Sequence, residues 1–119
     1  MTKHVSPGIH ILLDMWNAKH MTDLTYVGNA LTKAATSCGL TILDVHLHHF
    51  GEDEGAGVTG VAILAESHIS IHTWPEIDYM AIDIFVCGSA DPTPAISSLK
   101  DDFQPGSFSL TSQQRGIRK

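Results

Sequence analysis

The sequence predicts an α+β fold: a two-layer sandwich with a mainly antiparallel sheet and two helices packed on one of its faces. Short segments of alternating apolar and polar residues recur along the chain, and they predict strands. Two further segments carry apolar residues at helical spacing. Most connections are too short for the crossovers that parallel strands need. A chain of 119 residues fits one domain, residues 1–119.

The first two predicted elements are a strand and a long helix. Residues Gly8–Trp16, GIHILLDMW, are apolar enough for a strand, and the helix is expected from about Asp23 to Cys38. Thr22 is a candidate cap at its start, and Gly39 suits the left-handed position after its end. The apolar stripe of this helix is Leu24, Val27, Leu31, Ala35 and Cys38.

Two strands are predicted next, separated by a loop. Thr41–Phe50, TILDVHLHHF, alternates between an apolar and a polar face. The apolar set is Leu43, Val45 and Leu47, and the polar set is Asp44, His46 and His48. The segment GEDEGAG predicts a loop, and Val58–Ala65 is apolar enough for a central strand. A further strand should end before Pro75, which cannot donate a hydrogen bond to a neighbouring strand.

The C-terminal third predicts a strand, a short helix and a last strand. Tyr79–Cys87 alternates, with Met80, Ile82, Ile84 and Val86 on one face. Asp91 followed by Pro92 resembles a helix cap with proline at the first helical position. Ile96, Leu99 and Phe103 mark the helix, and Ser107–Ser112 can complete the sheet.

Composition and charge exclude several classes of protein. A net charge of −6 argues against nucleic acid as the main partner. The longest apolar runs are shorter than the roughly 20 residues that span a bilayer. The N-terminal segment lacks the features of a secretory signal, so we expect a cytoplasmic protein without a membrane partner. Cys38 and Cys87 do not make a disulfide framework.

The eight histidines raise the question of a metal site. His46, His48 and Glu52 form an HxHxxxE pattern that resembles the first motif of cupin barrels, but the flanking glycines are each one residue out of place. A second motif with a further ligand is not evident. We therefore expect no metal, and a metal-binding homologue stays open as an alternative.

The segment LAESHISIHTWPE, residues 64–76, places reactive side chains along a predicted strand. Ser67, His68 and His72 have the residue types of a hydrolase triad, but no GxSxG elbow is present. A second hypothesis is self-processing, in which the Ser67 hydroxyl attacks the preceding carbonyl in a strained backbone. A histidine and a thiol would then move protons. The residue types alone leave both hypotheses open, and Ser67 and His72 need a bulge or turn to meet.

The same segment, followed by DYMAIDIFVCG, closely resembles the processing region of prokaryotic S-adenosylmethionine decarboxylases, which are pyruvoyl-dependent enzymes. Gly8-x-His10, Asp14 and Trp16 near the N-terminus are also similar to the family. The resemblance implies a proenzyme that cleaves itself between Glu66 and Ser67. Its products would be a β chain (1–66) and an α chain (67–119).

The resemblance also implies the roles of individual residues. Ser67 would become the self-derived pyruvoyl group that forms a Schiff base with the substrate. His72 matches the histidine that transfers a proton during processing, and Cys87 matches the catalytic proton donor. Glu76 matches the acid that binds the ribose hydroxyls, and Phe50 matches the aromatic residue that stacks on adenine.

The chain departs from the family pattern in two places. Thr59 stands where the family has a serine tied to processing; it keeps the hydroxyl but has a stiffer χ1. The acidic loop at residues 51–56 is unlike the shorter family loop, which contains proline. An acidic loop suits a cationic substrate, so a pyruvoyl-dependent decarboxylase of arginine or ornithine is the alternative.

The implied activity is decarboxylation of S-adenosylmethionine, which supplies the aminopropyl donor for spermidine biosynthesis. The family pattern is a homodimer of cleaved protomers with active sites near the subunit interface. Such a dimer would cover the polar face of the predicted sheet. A non-enzymatic homologue is the remaining alternative.

Overall fold

The computed structural model describes residues 7–51 and 55–118, and the predicted α+β architecture with two helices is confirmed. In chain order the elements are β1 (Gly8–Trp16), α1 (Leu24–Ser37), β2 (Ile42–His49), β3 (Val58–Leu64), β4 (Ser67–Trp74), β5 (Tyr79–Cys87), α2 (Thr93–Phe103) and β6 (Ser107–Arg115). One 3-10 turn, Pro75–Ile77, joins β4 to β5. Within these described ranges no helix is both long enough and apolar enough to cross a membrane.

The six strands form one sheet in the order β2-β3-β4-β5-β1-β6, and all paired neighbours are antiparallel. Alternation gives the sheet two different faces. One face packs on both helices through a single core that includes Leu13, Ile69, Ile84, Leu99 and Phe103. We call the other the open face. Across its centre it carries His10, Leu12, Asp14, Trp16, Thr59, Val61, Ile63, His68, Ser70, His72, Trp74, Tyr79, Asp83 and Phe85.

Close contact between α1 and the sheet depends on a glycine in β3. A Cβ atom on Gly60 would lie 2.7 Å from side-chain carbons of both Leu31 and Leu47. That separation is shorter than van der Waals contact, so only glycine lets the helix approach this strand. Thr59, the preceding residue, lies on the open face directly across from His72.

The helix ends differ in part from expectation. Asp23, rather than Thr22, caps α1, because its carboxylate accepts a hydrogen bond from the Tyr26 N–H. Gly39 takes the expected left-handed conformation, with φ of 70°. Asp91 accepts a hydrogen bond from the Thr93 N–H, although it lies one residue before the N-cap position of α2.

Strand β2 corrects one predicted core residue. Leu43 was expected on the apolar face, but its side chain is 63% exposed. The β2–β3 register shifts between Ile42 and Asp44, so Leu43 is left out of the pairing. Ile42, Val45 and Leu47 pack against the core instead. At the other end of the chain, β6 continues beyond Ser112 to Arg115.

Replacing a core phenylalanine should destabilise the fold far more than replacing a surface one. Phe103 is fully buried, whereas Phe108 is 46% exposed beneath Lys100. We expect Phe103→Ala to lower the free energy of unfolding by about 3–5 kcal/mol. Phe108→Ala should cost about 1 kcal/mol or less. Urea denaturation measures both, and equal losses would contradict the described core.

Candidate active site

The peptide bond between Glu66 and Ser67 lies at the end of a tight hairpin turn. Leu64 pairs with Ser67 across the β3–β4 hairpin, so only Ala65 and Glu66 form the turn. Ser67 has a φ of 143°, in a region that is essentially restricted to glycine and costs other residues about 1–3 kcal/mol. The backbone is therefore strained at the bond that the sequence singled out.

Two segments hold Glu66 from different sides. The Cys87 N–H donates a hydrogen bond of 3.1 Å to the Glu66 carbonyl oxygen. On the other side, the Thr41 N–H donates to the Glu66 carboxylate at 3.0 Å. A hydrogen bond to the carbonyl oxygen also stabilises negative charge that develops there during nucleophilic attack. The Glu66 carbonyl is thus both fixed in position and polarised.

Cys87 lies beside this turn, at the end of β5. Its neighbour Val86 pairs with Ser67, and its sulfur is 3.4 Å from the Ser89 hydroxyl. The pKa of the Cys87 thiol is lowered, mainly by hydrogen bonding from Ser89 and also by the Ala90 N–H. Desolvation by burial acts in the opposite direction and raises this pKa. Glu66 also opposes this shift by charge repulsion.

A cavity of about 460 Å³ opens at the other end of β4. This volume is within the range of pockets that hold small organic ligands. Its lining brings together four residues that the sequence assigned to substrate binding or processing. The lining residues are Phe50, Ala56, Gly57, Thr59, His72, Thr73, Trp74 and Glu76.

Thr59 and His72 contact each other directly in this cavity. They are cross-strand partners, and the Thr59 hydroxyl lies 3.1 Å from Nδ1 of His72. The extra methyl group of threonine therefore does not prevent the hydroxyl from reaching the histidine. This contact can orient the imidazole ring and fix which nitrogen carries the proton.

Within one chain, the turn and the cavity are well separated. Ser67 and His72 are five residues apart on β4, which corresponds to roughly 16 Å along a strand. Pairing of β4 is continuous with both neighbours, so the bulge needed to bring these two side chains together is not present. Ser67, Glu66 and Cys87 form one group, and His72, Thr59, Phe50 and Glu76 form another.

The hydrolase triad that the sequence suggested is not assembled in the described part of the chain. His68 packs near Phe85, with ring centroids 5.9 Å apart, and lies on the same face as His72 about 13 Å away along the strand. His46 and His48 lie together on β2, but Glu52 is outside the described residues. In residues 7–51 and 55–118, no three His, Cys, Asp or Glu side chains are grouped to hold a metal ion.

Two residues of the site were not identified from the sequence. Trp74 lines the cavity and stacks on Tyr79 at 5.3 Å; its even spacing from His72 could have placed both on one face. Thr41 contacts Glu66 across 25 positions of sequence, and no local pattern indicates such a contact.

Removing the Ser89 hydroxyl should raise the pKa of Cys87. The thiolate loses its main hydrogen-bond donor in Ser89→Ala, so its protonated form becomes relatively more stable. A Cys38→Ser background leaves Cys87 as the one thiol, and ultraviolet titration of the thiolate then reports its pKa. An unchanged pKa would show that Ser89 does not stabilise the thiolate.

Comparisons with known proteins identify the family of this chain. Residues 9–116 match the family model described as S-adenosylmethionine decarboxylase. The chain is 42% identical to an S-adenosylmethionine decarboxylase proenzyme of Methanococcus aeolicus, covering 96% of each chain. It is 36% identical to one of Thermomicrobium roseum, covering 94% of this chain and 96% of the relative. The crystal structure of the Aquifex aeolicus adenosylmethionine decarboxylase superposes on this chain with a TM-score of 0.83 at 30% identity. The superposition covers 98% of this chain and 96% of the Aquifex chain. The chain belongs to the S-adenosylmethionine decarboxylase family.

Proposed function

We propose that this chain decarboxylates S-adenosylmethionine with a pyruvoyl group that it makes from its own Ser67. The observation that carries the proposal is the strained Ser67 backbone directly after a carbonyl that accepts the Cys87 N–H. Family membership supports the activity. The curated relatives reported above are named S-adenosylmethionine decarboxylase proenzymes. They give no support to arginine or ornithine as the substrate, or to a metal-binding role.

Self-cleavage begins with attack of the Ser67 hydroxyl on the Glu66 carbonyl carbon. The C–N bond breaks as the C–O bond forms, the hydroxyl proton moves to the nitrogen, and an ester results. Loss of the Ser67 α-proton then expels the Glu66 carboxylate and leaves dehydroalanine. Its imine tautomer takes up water and releases ammonia, which leaves a pyruvoyl group on residue 67. The strain at Ser67 and the hydrogen-bonded carbonyl favour the first step.

The proton for elimination is best removed by His72 of a second protomer. Within one chain His72 lies roughly 16 Å from Ser67, too far for direct proton transfer. A two-fold axis near Ser70, between the two groups, would place the Ser67 turn of each protomer beside the partner's cavity. Ser70 lies midway along β4 and has its side chain on the open face.

The open face has the character of such an interface. It carries Leu12, Trp16, Ile63 and Trp74 as partly exposed large apolar side chains. Trp16, Tyr79 and Trp74 form a continuous row, with centroid distances of 5.8 and 5.3 Å. Apolar surface of this kind is typical of protein contacts. We therefore propose a homodimer formed through the open face, with two composite sites.

The cavity residues suit the nucleoside end of the substrate. Phe50, which is 64% exposed, and Trp74 can stack on a planar base. The Glu76 carboxylate can accept hydrogen bonds from ribose hydroxyls. An acidic chain attracts a sulfonium cation.

Cys87 is placed to handle the proton at the reacting carbon. A pyruvoyl group supplies a carbonyl that condenses with an amine and accepts the electrons released with CO₂. Cys87 lies beside Ser67 and can return a proton to the α-carbon. Both cysteines are free thiols, which is typical of a reducing compartment, and we place the enzyme in the cytoplasm.

Cleavage and substrate choice can be tested together. The wild-type chain should give fragments of residues 1–66 and 67–119 by intact mass, and should release CO₂ from S-adenosylmethionine but not from ornithine or arginine. Ser67→Ala should stay uncleaved and inactive, because the nucleophile is missing. An intact wild-type chain after long incubation would contradict the proposal.

Cys87→Ser separates processing from turnover. Serine keeps the backbone N–H that holds the Glu66 carbonyl, so cleavage should continue. Turnover should fall by about 100-fold to 10,000-fold, the range for loss of a general acid. Full activity of cleaved Cys87→Ser would disprove the proton-donor role.

Co-expression of two defective chains tests the composite site. His72→Ala and Ser67→Ala, with different tags, should each fail to form a pyruvoyl group alone. In mixed dimers the intact His72 of the Ser67→Ala chain can serve the intact Ser67 of its partner. Mass spectrometry should then find a pyruvoyl group on the His72→Ala chain only. Co-purified mixed dimers without it would show that the site is not shared.

A further inference from the structure

We propose that Thr41 and the Glu66 side chain form a clamp that positions the Glu66–Ser67 bond for self-cleavage. This inference rests on the proposed self-processing. It assigns a positioning role to Thr41 and to the side chain of Glu66. Thr41 lies in the short connection between α1 and β2, outside the segment that resembles the processing region.

The contacts between Thr41 and the turn cover both turn residues. The Thr41 N–H donates to Oε1 of Glu66 at 3.0 Å, and the Thr41 hydroxyl donates to Oε2 at 3.4 Å. The Thr41 carbonyl accepts a hydrogen bond of 2.9 Å from the Ala65 N–H. One residue therefore fixes the turn through its N–H, its carbonyl and its side chain.

The clamp acts opposite the hydrogen bond from Cys87. The Cys87 N–H holds the Glu66 carbonyl, while Thr41 holds the Glu66 carboxylate. With both in place, the plane of the Glu66–Ser67 peptide cannot rotate freely. If the carboxylate is released, rotation of that peptide can relax the φ of Ser67 from 143° toward the extended region and move the carbonyl away from the nucleophile.

The energies are large enough to affect the rate. Hydrogen bonds to an ionised carboxylate are shorter and stronger than neutral ones. The attack requires the reacting atoms to lie about 3–3.5 Å apart, and small displacements reduce such rates by up to about 100-fold. A clamp on the Glu66 side chain can therefore control the rate of processing while leaving the nucleophile and the thiol unchanged.

The test measures the rate of chain cleavage after a short pulse of cell-free synthesis. Glu66→Ala removes both acceptors and should slow cleavage about 10-fold to 100-fold. Thr41→Val removes only the hydroxyl and should slow it about 3-fold. Thr41→Ser restores the hydroxyl and should cleave at the wild-type rate. Thr32→Val is the matched control, because the Thr32 hydroxyl donates only to the Gly28 carbonyl within α1.

A double-mutant cycle separates positioning from general loss of stability. Thr41→Val should add nothing to the slow cleavage of Glu66→Ala if both act through one clamp. If the two substitutions slow cleavage by factors that multiply in the double mutant, the inference is overturned. Wild-type cleavage rates in Glu66→Ala would overturn it as well. An uncleaved wild-type chain would instead contradict the proposed function on which the clamp rests.

Discussion

The candidate site depends on the pairing of β4 between β3 and β5. This pairing runs without interruption from Ser67 to Trp74 on the β5 side, so both ends of the strand have fixed neighbours. At one end it brings the Cys87 N–H to the Glu66 carbonyl. At the other end it places His72 beside Thr59. Because both strands flanking β4 are rigidly paired, strain at Ser67 cannot be relieved by sliding the strand.

The two faces of the sheet divide structural and chemical tasks. Buried aliphatic residues on the helix face, such as Ile69 and Ile71, supply most of the stability through apolar burial. Polar and aromatic residues on the open face are then free to serve binding. At the centre of this face, Nε2 of His10 lies 3.0 Å from the Asp83 carboxylate. Alternation along a strand thus lets one short segment serve the core and the site together.

The strands were predicted well because their signal is local. Gly8–Trp16 and Tyr79–Cys87 have the predicted bounds, because the apolar content of the first and the alternation of the second are local properties. The predictions were wrong where two neighbouring residues could both cap a helix, or where pairing with another strand changed the register. Thr22 and Asp23 are both good caps, and the chain uses Asp23. Leu43 fits the alternation, but the shift in the β2–β3 register leaves it exposed, and a single strand does not reveal that shift.

The sequence by itself determined the family, the strand that contains the reactive segment, and the residue types that the chemistry needs. These follow from local periodicity and from a long, specific motif. Only the tertiary structure decided that Ser67 and His72 lie at opposite ends of an unbroken strand, because that depends on the pairing partners of β4. It also brought Thr41 to Glu66 across 25 positions. Such contacts depend on how distant segments pack, which no local pattern encodes.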